Sequence, residues 1–202
     1  MRLILQKVNI HDINYKLNNK VWDIMLRNSS EQYGVISKLL HWVIAIVIIT
    51  MLYVGYYMSD MPVSDEKYQL YSLHKASGVT LFIFVIIRLF WRIFNISPSM
   101  PPETPKWQVL AADLNVKFLY FLMICQPLSG IFMSLYSGRS IDIFGLFSIK
   151  AFEKKEKLAT LSKEFHEAFA VLLIITISLH LIGALYHHFI KKDGVLKKML
   201  NG

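Results

Sequence analysis

Cysteine is almost missing from this chain: Cys125 stands alone among 202 residues. No disulfide can close within the chain, and zinc or iron–sulfur sites built on several thiolates are excluded. Metal or redox chemistry would fall to the seven histidines. Charge is also scarce, at 18% of residues, and acids are the rarer sign, 14 against 22 Lys and Arg. The basic excess comes with no nucleic-acid motif, so no nucleic-acid partner is expected. No secretory leader is expected either, because "MRLILQKVNIHDINYKLNN" lacks an apolar core followed by small residues. No internal repeat, low-complexity tract or polar stretch long enough for a separate soluble domain interrupts the rest.

What fills the chain is hydrocarbon. Hydrophobic residues make up 54%, too many for a soluble domain of this size. A bilayer core of about 30 Å requires roughly 20 apolar residues in a helix. Four stretches meet that length, at about 37–58, 73–94, 115–136 and 166–190. They are continuously apolar rather than alternating, which favours helices over a closed barrel. The expected fold class is therefore all-α, a four-transmembrane-helix bundle.

Fourteen of the 22 Lys and Arg fall in the N-terminal segment, the 88–117 region and the C-terminus. The positive-inside rule then predicts both termini in the cytoplasm. "SPSMPPETP" between spans two and three reads as an extended, proline-rich turn. The longest loop, 137–165, contains "KKEKLATLSKEF", expected as a short amphipathic helix feeding span four. Residues 1–32 read as a polar extension, interfacial or disordered, which leaves 33–200 as the transmembrane domain.

Six histidines lie on or beside the spans. His166 and His180 are fourteen residues apart, about 21 Å along a helix and about 40° around it. They thus point from nearly one face at two depths. His74 opens span two at the level of His166. His41 lies a turn inside span one, level with His180. This gives an outer pair, His74 and His166, and an inner pair, His41 and His180, each drawn from two helices. Bundles build cofactor sites from facing helices, and a b-type haem needs one imidazole on each side of its iron. Two strong axial ligands leave no open position, which suits electron transfer. The alternatives are histidines bonded to each other, a proton relay, or zinc, which usually takes three or four ligands at one level.

Other residues attach to these levels. Gly78, one turn after His74, leaves room for a flat macrocycle. Lys75 offers charge to a propionate or attracts an anion. Arg88, fourteen residues after His74, reaches the inner level, where a haem propionate would satisfy a charge so deep. Arg92 fits cytoplasmic anchoring. His187 lies seven residues past His180, about 10 Å closer to the cytoplasm. It is either interfacial or the group that hydrogen-bonds a quinone carbonyl and handles its proton. Gln126–Pro127 suggests a kink with an inward polar group, and Trp42, Trp91, Tyr56, Tyr57 and Tyr186 suit an interfacial aromatic belt.

The segments "ISKLLHW", "LHKASG", "RLFWR", "QPLSG", "FHEAFA" and "LHLIGALYHHFIKKDGVLKKM" resemble the bacterial cytochrome b561 family of four-helix, two-haem membrane proteins. The similarity runs from about residue 33 to 200 and includes the superoxide oxidase branch. It implies His41, His74, His166 and His180 as axial ligands. It also implies oxidation of superoxide at the periplasmic face of the bacterial inner membrane and reduction of ubiquinone within the bilayer. Asp113 and Val116 depart from it, standing where such relatives are expected to carry histidines. A basic rim of Lys75, Arg139, Lys150 and Lys163 would draw in the superoxide anion. Asp142, Glu164 and Glu167 among others balance that charge overall, so any funnel must be local. Lys75, Lys163 and His187 are the expected catalytic residues. The competing expectation is a membrane conduit serving a partner dehydrogenase or periplasmic redox protein, with the same haems and no superoxide oxidase activity.

Overall fold

A computed structural model describes residues 26–200. Four long helices dominate it: α1 (Val35–Asp60), α2 (Asp65–Ile93), α3 (Lys106–Tyr136) and α4 (Glu156–Leu185). A two-stranded hairpin, β1 (Ile141–Ile143) and β2 (Phe147–Ile149), follows α3. A π-helical turn, Tyr186–Lys191, extends α4, and a short α5 (Lys197–Leu200) ends the described chain.

All four long helices are long and apolar enough to cross a membrane. Large apolar side chains such as Ile46, Ile49 and Leu181 are more than half exposed, as a lipid-facing surface requires. Three helices, α2, α3 and α4, begin well before their apolar runs. Ser64 caps α2 by accepting the Lys67 amide at 3.2 Å, with Asp65 and Glu66 in the first turn. Acids there complement the helix dipole, so the helix forms where hydropathy is silent. The "KEKLATLSKEF" stretch is continuous with the membrane helix, since α4 already starts at Glu156.

The helices pack in sequence order, α1 on α2, α2 on α3, and α3 most extensively on α4. Ile44, Ile48, Val85, Leu122 and Leu173 form one core, with residues from all four helices. A second core gathers Ala76, Val79 and Leu135 with Ile141 and Ile143 of β1, so the hairpin is packed against α2 and α3.

That hairpin lies within the 137–165 loop, ahead of the stretch expected as an amphipathic helix. Its register pairs Ile141 with Ile149 and Ile143 with Phe147. Phe144 and Gly145 both take positive φ at the tip. Asp142 holds the turn, accepting the Gly145 amide at 2.7 Å and the Ser148 hydroxyl at 2.9 Å.

At the opposite end, part of the polar extension is stitched to the bundle. The Asn28 carbonyl oxygen accepts from the Gly34 amide and the Ser37 hydroxyl, and its amide donates to Ile96 O. The Tyr33 amide donates to Lys198 O, and Lys198 Nζ donates to Ser99 O. Gly34 is required at this turn, because a Cβ there would collide with the carbonyls of Leu26 and Arg27. The remainder of the extension, including His11, lies outside the described residues. "SPSMPPETP" runs without regular helix, as its prolines dictate.

Candidate functional site: two stacked histidine pairs

The four histidines expected at two levels meet in two pairs. The rings of His74 and His166 lie with centres 6.5 Å apart, and those of His41 and His180 lie 6.3 Å apart. A metal–imidazole bond of about 2 Å, plus about 1.2 Å from nitrogen to ring centre, separates two trans imidazoles on one metal by roughly 6.4 Å. Both pairs match that distance. Neither pair is hydrogen-bonded ring to ring among the described residues. Among the described residues, no three His, Cys, Asp or Glu side chains gather there into a larger metal site.

The outer pair is built for an imidazole that binds through Nε2. His166 Nδ1–H donates to the Gln126 carbonyl at 2.9 Å, with Ser129 Oγ at 3.1 Å. A carbonyl can only accept, so Nδ1 carries the hydrogen and Nε2 keeps its lone pair. Backbone carbonyls orient metal-binding histidines in this way. Gln126 Nε2 approaches His166 Nε2 at 3.3 Å, which is the inward polar group expected beside Pro127. The local sequence explains the fit. In "QPLSG", Pro127 sits inside α3, and Ser129 Oγ donates back to Gln126 O at 2.7 Å. A Cβ at Gly130 would come within 2.9 Å of His166 Cε1. Across the pair, His74 Nδ1 is buried with no hydrogen-bond partner among the described residues, a costly state that a bound group can relieve.

Two glycines matter here that the sequence reading passes over. Gly130 makes room for His166, and a Cβ at Gly55 would lie 3.4 Å from His74 Cε1. Gly78, expected where a macrocycle approaches, instead faces Met51 Cε at an ordinary contact distance of 3.6 Å.

The inner pair is oriented differently. Arg88 Nη2 donates to His41 Nδ1 at 2.8 Å. Guanidinium has no acceptor, so here Nδ1 holds the lone pair. Arg88 thus does reach the inner level, and it touches the histidine itself. Arg88 and Arg92 also lie over the Tyr120 ring, at 5.9 and 5.8 Å. Tyr33, Ser37, Trp91 and Met199 complete the small crevice around them. Trp91 Nε1 donates to Ser37 Oγ and Trp42 Nε1 to Met199 O, so these two indoles have protein partners, whereas Tyr56 and Tyr57 are exposed as belt residues should be.

At the outer mouth Lys75 Nζ reaches Ser134 Oγ at 3.4 Å and Ser140 O at 3.3 Å. Ser134 Oγ in turn donates to Arg139 O, which brings Arg139 alongside. Lys163, expected in the same rim, is an exposed partner of Glu167 at 3.4 Å. Asp113, at a departure from the resemblance, pairs on the surface with Lys117 at 2.7 Å. His187 lies buried in the π-helical turn, its Nδ1 2.5 Å from Asp193 Oδ2.

A four-helix membrane bundle with two level pairs of imidazoles is the arrangement that comparison with known proteins explains. The family model described as prokaryotic cytochrome b561 matches residues 32–202. The chain belongs to the prokaryotic cytochrome b561 family. Cytochrome b561 homolog 2 of Escherichia coli K12 is 33% identical over 86% of this chain and 93% of its own length. Cytochrome b561 homolog 1 of the same organism is 31% identical over 80% and 92%. A probable superoxide oxidase, CybB, of Yersinia pestis is 27% identical over 63% of this chain and 73% of its own length. Membership makes this cytochrome b561 relative a multi-pass membrane protein of electron transfer and carries with it b-type haem. The ring spacing suits such a group at both levels, and at the inner one the Arg88 contact to His41 Nδ1 would have to give way for ligation through Nε2.

Proposed function

We propose that this cytochrome b561 relative oxidises superoxide on the periplasmic side of the inner membrane and reduces ubiquinone, with residues 33–200 as the working unit and both termini cytoplasmic. The overall reaction is 2 O2•− + Q + 2 H+ → 2 O2 + QH2. The observation that carries this reading is the pair of imidazole pairs, each spaced for one metal. His74 and His166 would hold the outer haem, His41 and His180 the inner one. One-electron carriage is the chemistry that haem supplies when bound, and its potential follows from axial ligands and surrounding charge.

The chain's own residues divide the remaining work. Lys75 and Arg139 concentrate positive charge at the outer mouth, where an anion must arrive. Gln126 O fixes the His166 tautomer, and Gly55 and Gly130 keep the outer rings uncrowded. Were His41 to hold the inner haem through Nε2, its Nδ1 would carry a hydrogen. Arg88, which can only donate, would then turn to another acceptor, such as a haem propionate. His187 handles the proton that quinone reduction consumes.

Superoxide mixed with purified, oxidised protein in a stopped-flow instrument tests the reading. Reduction of the visible bands far above the rate of spontaneous dismutation, with no partner protein present, supports it. Reduction only after adding a separate dehydrogenase or periplasmic redox protein would make the chain a conduit.

A further inference from the structure

The motif "HHFIKKDG" does more than end a helix. After Leu185 the backbone widens into a π-helical turn, Tyr186–Lys191, of a kind found often at functional sites. Lys192 then adopts φ 54, a left-handed conformation disfavoured for any residue with a Cβ. Its amide donates to His187 O, and so does that of Asp193 at 3.4 Å. The chain thereby folds back on itself and delivers Asp193 Oδ2 to His187 Nδ1 at 2.5 Å. Asp193 Oδ1 is fixed separately by the Val195 amide at 3.2 Å. Both side chains are largely buried, with 11% and 17% of their surface exposed. His187 Nε2, at the far corner of the ring, carries no hydrogen bond to a described residue.

We propose that Asp193 is the positioning residue of the quinone site, holding His187 with Nδ1–H on the carboxylate so that Nε2 passes protons to quinone oxygen. This rests on the reading of a quinone acceptor made above. Each delivery breaks the Nε2–H bond of the His187 imidazolium as a quinone O–H bond forms. It leaves neutral imidazole whose Nδ1–H still faces Asp193, and cytoplasmic water restores the Nε2 proton. Two deliveries, with two electrons originating from two superoxide anions, convert ubiquinone to ubiquinol. A carboxylate on Nδ1 stabilises the imidazolium and fixes which nitrogen is free. Burial raises the Asp193 pKa, but hydrogen bonds from His187 and from the Val195 amide outweigh it and hold the carboxyl below its usual range, so it stays an anion.

The test uses the full haem-loaded chain, reduced chemically and mixed with ubiquinone-1. Loading the electrons this way makes the outcome independent of the natural donor, so failure of the superoxide reading and failure of this one are separable. Asp193→Ala is expected to lower the maximal rate of reoxidation at least tenfold with little change in the quinone concentration giving half-maximal rate, and Asp193→Glu to restore most of it. If Asp193 works through His187, adding Asp193→Ala to His187→Ala lowers the rate no further. Unchanged reoxidation in Asp193→Ala, or a further tenfold loss in the double variant, overturns the proposal. Should Asp193→Ala fail to load haem, Asp193→Asn, which keeps an acceptor for Nδ1–H without the charge, takes its place and is expected to lose rate less severely. A parent protein that ubiquinone-1 does not reoxidise would overturn the quinone reading and this proposal together.

Discussion

The two histidine pairs are nearly equal in spacing, 6.5 and 6.3 Å, yet unlike in what steadies them. His166 is held by a neutral carbonyl, His41 by a guanidinium. The outer level sits among glycines and beside a lysine, the inner level beside two arginines stacked on Tyr120. Positive charge close to an iron favours its reduced state. Under the proposed function, two ligand sets of one kind would differ in potential through their surroundings alone, Lys75 and Arg139 standing near the outer pair and Arg88 against the inner one.

Removing one ligand should break the comparison most severely. His74→Ala and His180→Ala are each expected to halve the haem-to-protein ratio measured by pyridine haemochrome absorbance, with opposite kinetic consequences. The outer variant loses rapid reduction by superoxide, and the inner variant keeps it but loses reoxidation by ubiquinone. Identical behaviour of the two variants would mean that the levels are not separate stations.

Crowding a ring comes next. Gly130→Ala places a methyl within 2.9 Å of His166 Cε1, closer than carbon atoms tolerate. It should weaken the outer haem preferentially, seen as loss of one α-band component. Gly55→Ala, at 3.4 Å from His74, is expected to do so less. Equal effects, or none, would show that the rings can yield.

Charge effects are smaller. Arg88→Gln should lower the inner midpoint potential in a redox titration by on the order of 60 mV, a tenfold change for a one-electron couple, and leave the outer one nearly in place. Lys75→Gln should slow superoxide-driven reduction several-fold and flatten its ionic-strength dependence, since salt screens such steering. Lys163→Gln should do neither, because Lys163 is exposed and already spends its charge on Glu167.

Much of this was legible because helical spacing is arithmetic. Fourteen residues return a side chain to nearly the same face, which relates His166 to His180 and His74 to Arg88. The same step leads from His41 to Gly55, so the outer glycine was within reach of the rule and was missed only because it carries no side chain. Gly78 drew the eye by lying four residues from His74, but packing against Met51 depends on the rotation of α2 against α1, which spacing within one helix does not fix. The hairpin was hidden for another reason. "IDIFGLFSI" is short, and its strands are stabilised by packing on α2 and α3 rather than by propensity. The tie between Asp193 and His187 depends on a π-helical turn and a left-handed Lys192, neither of which a regular helical wheel contains. The anchoring of Asn28 and Tyr33 to the loop and C-terminus joins segments far apart in sequence, beyond any local pattern.

Low-temperature electron paramagnetic resonance of the oxidised, haem-loaded protein tests the central claim most directly. Two bis-imidazole irons predict two low-spin ferric signals of equal intensity, one of them abolished in His74→Ala and the other in His180→Ala. A single signal, or high-spin iron at either level of the parent protein, would contradict it.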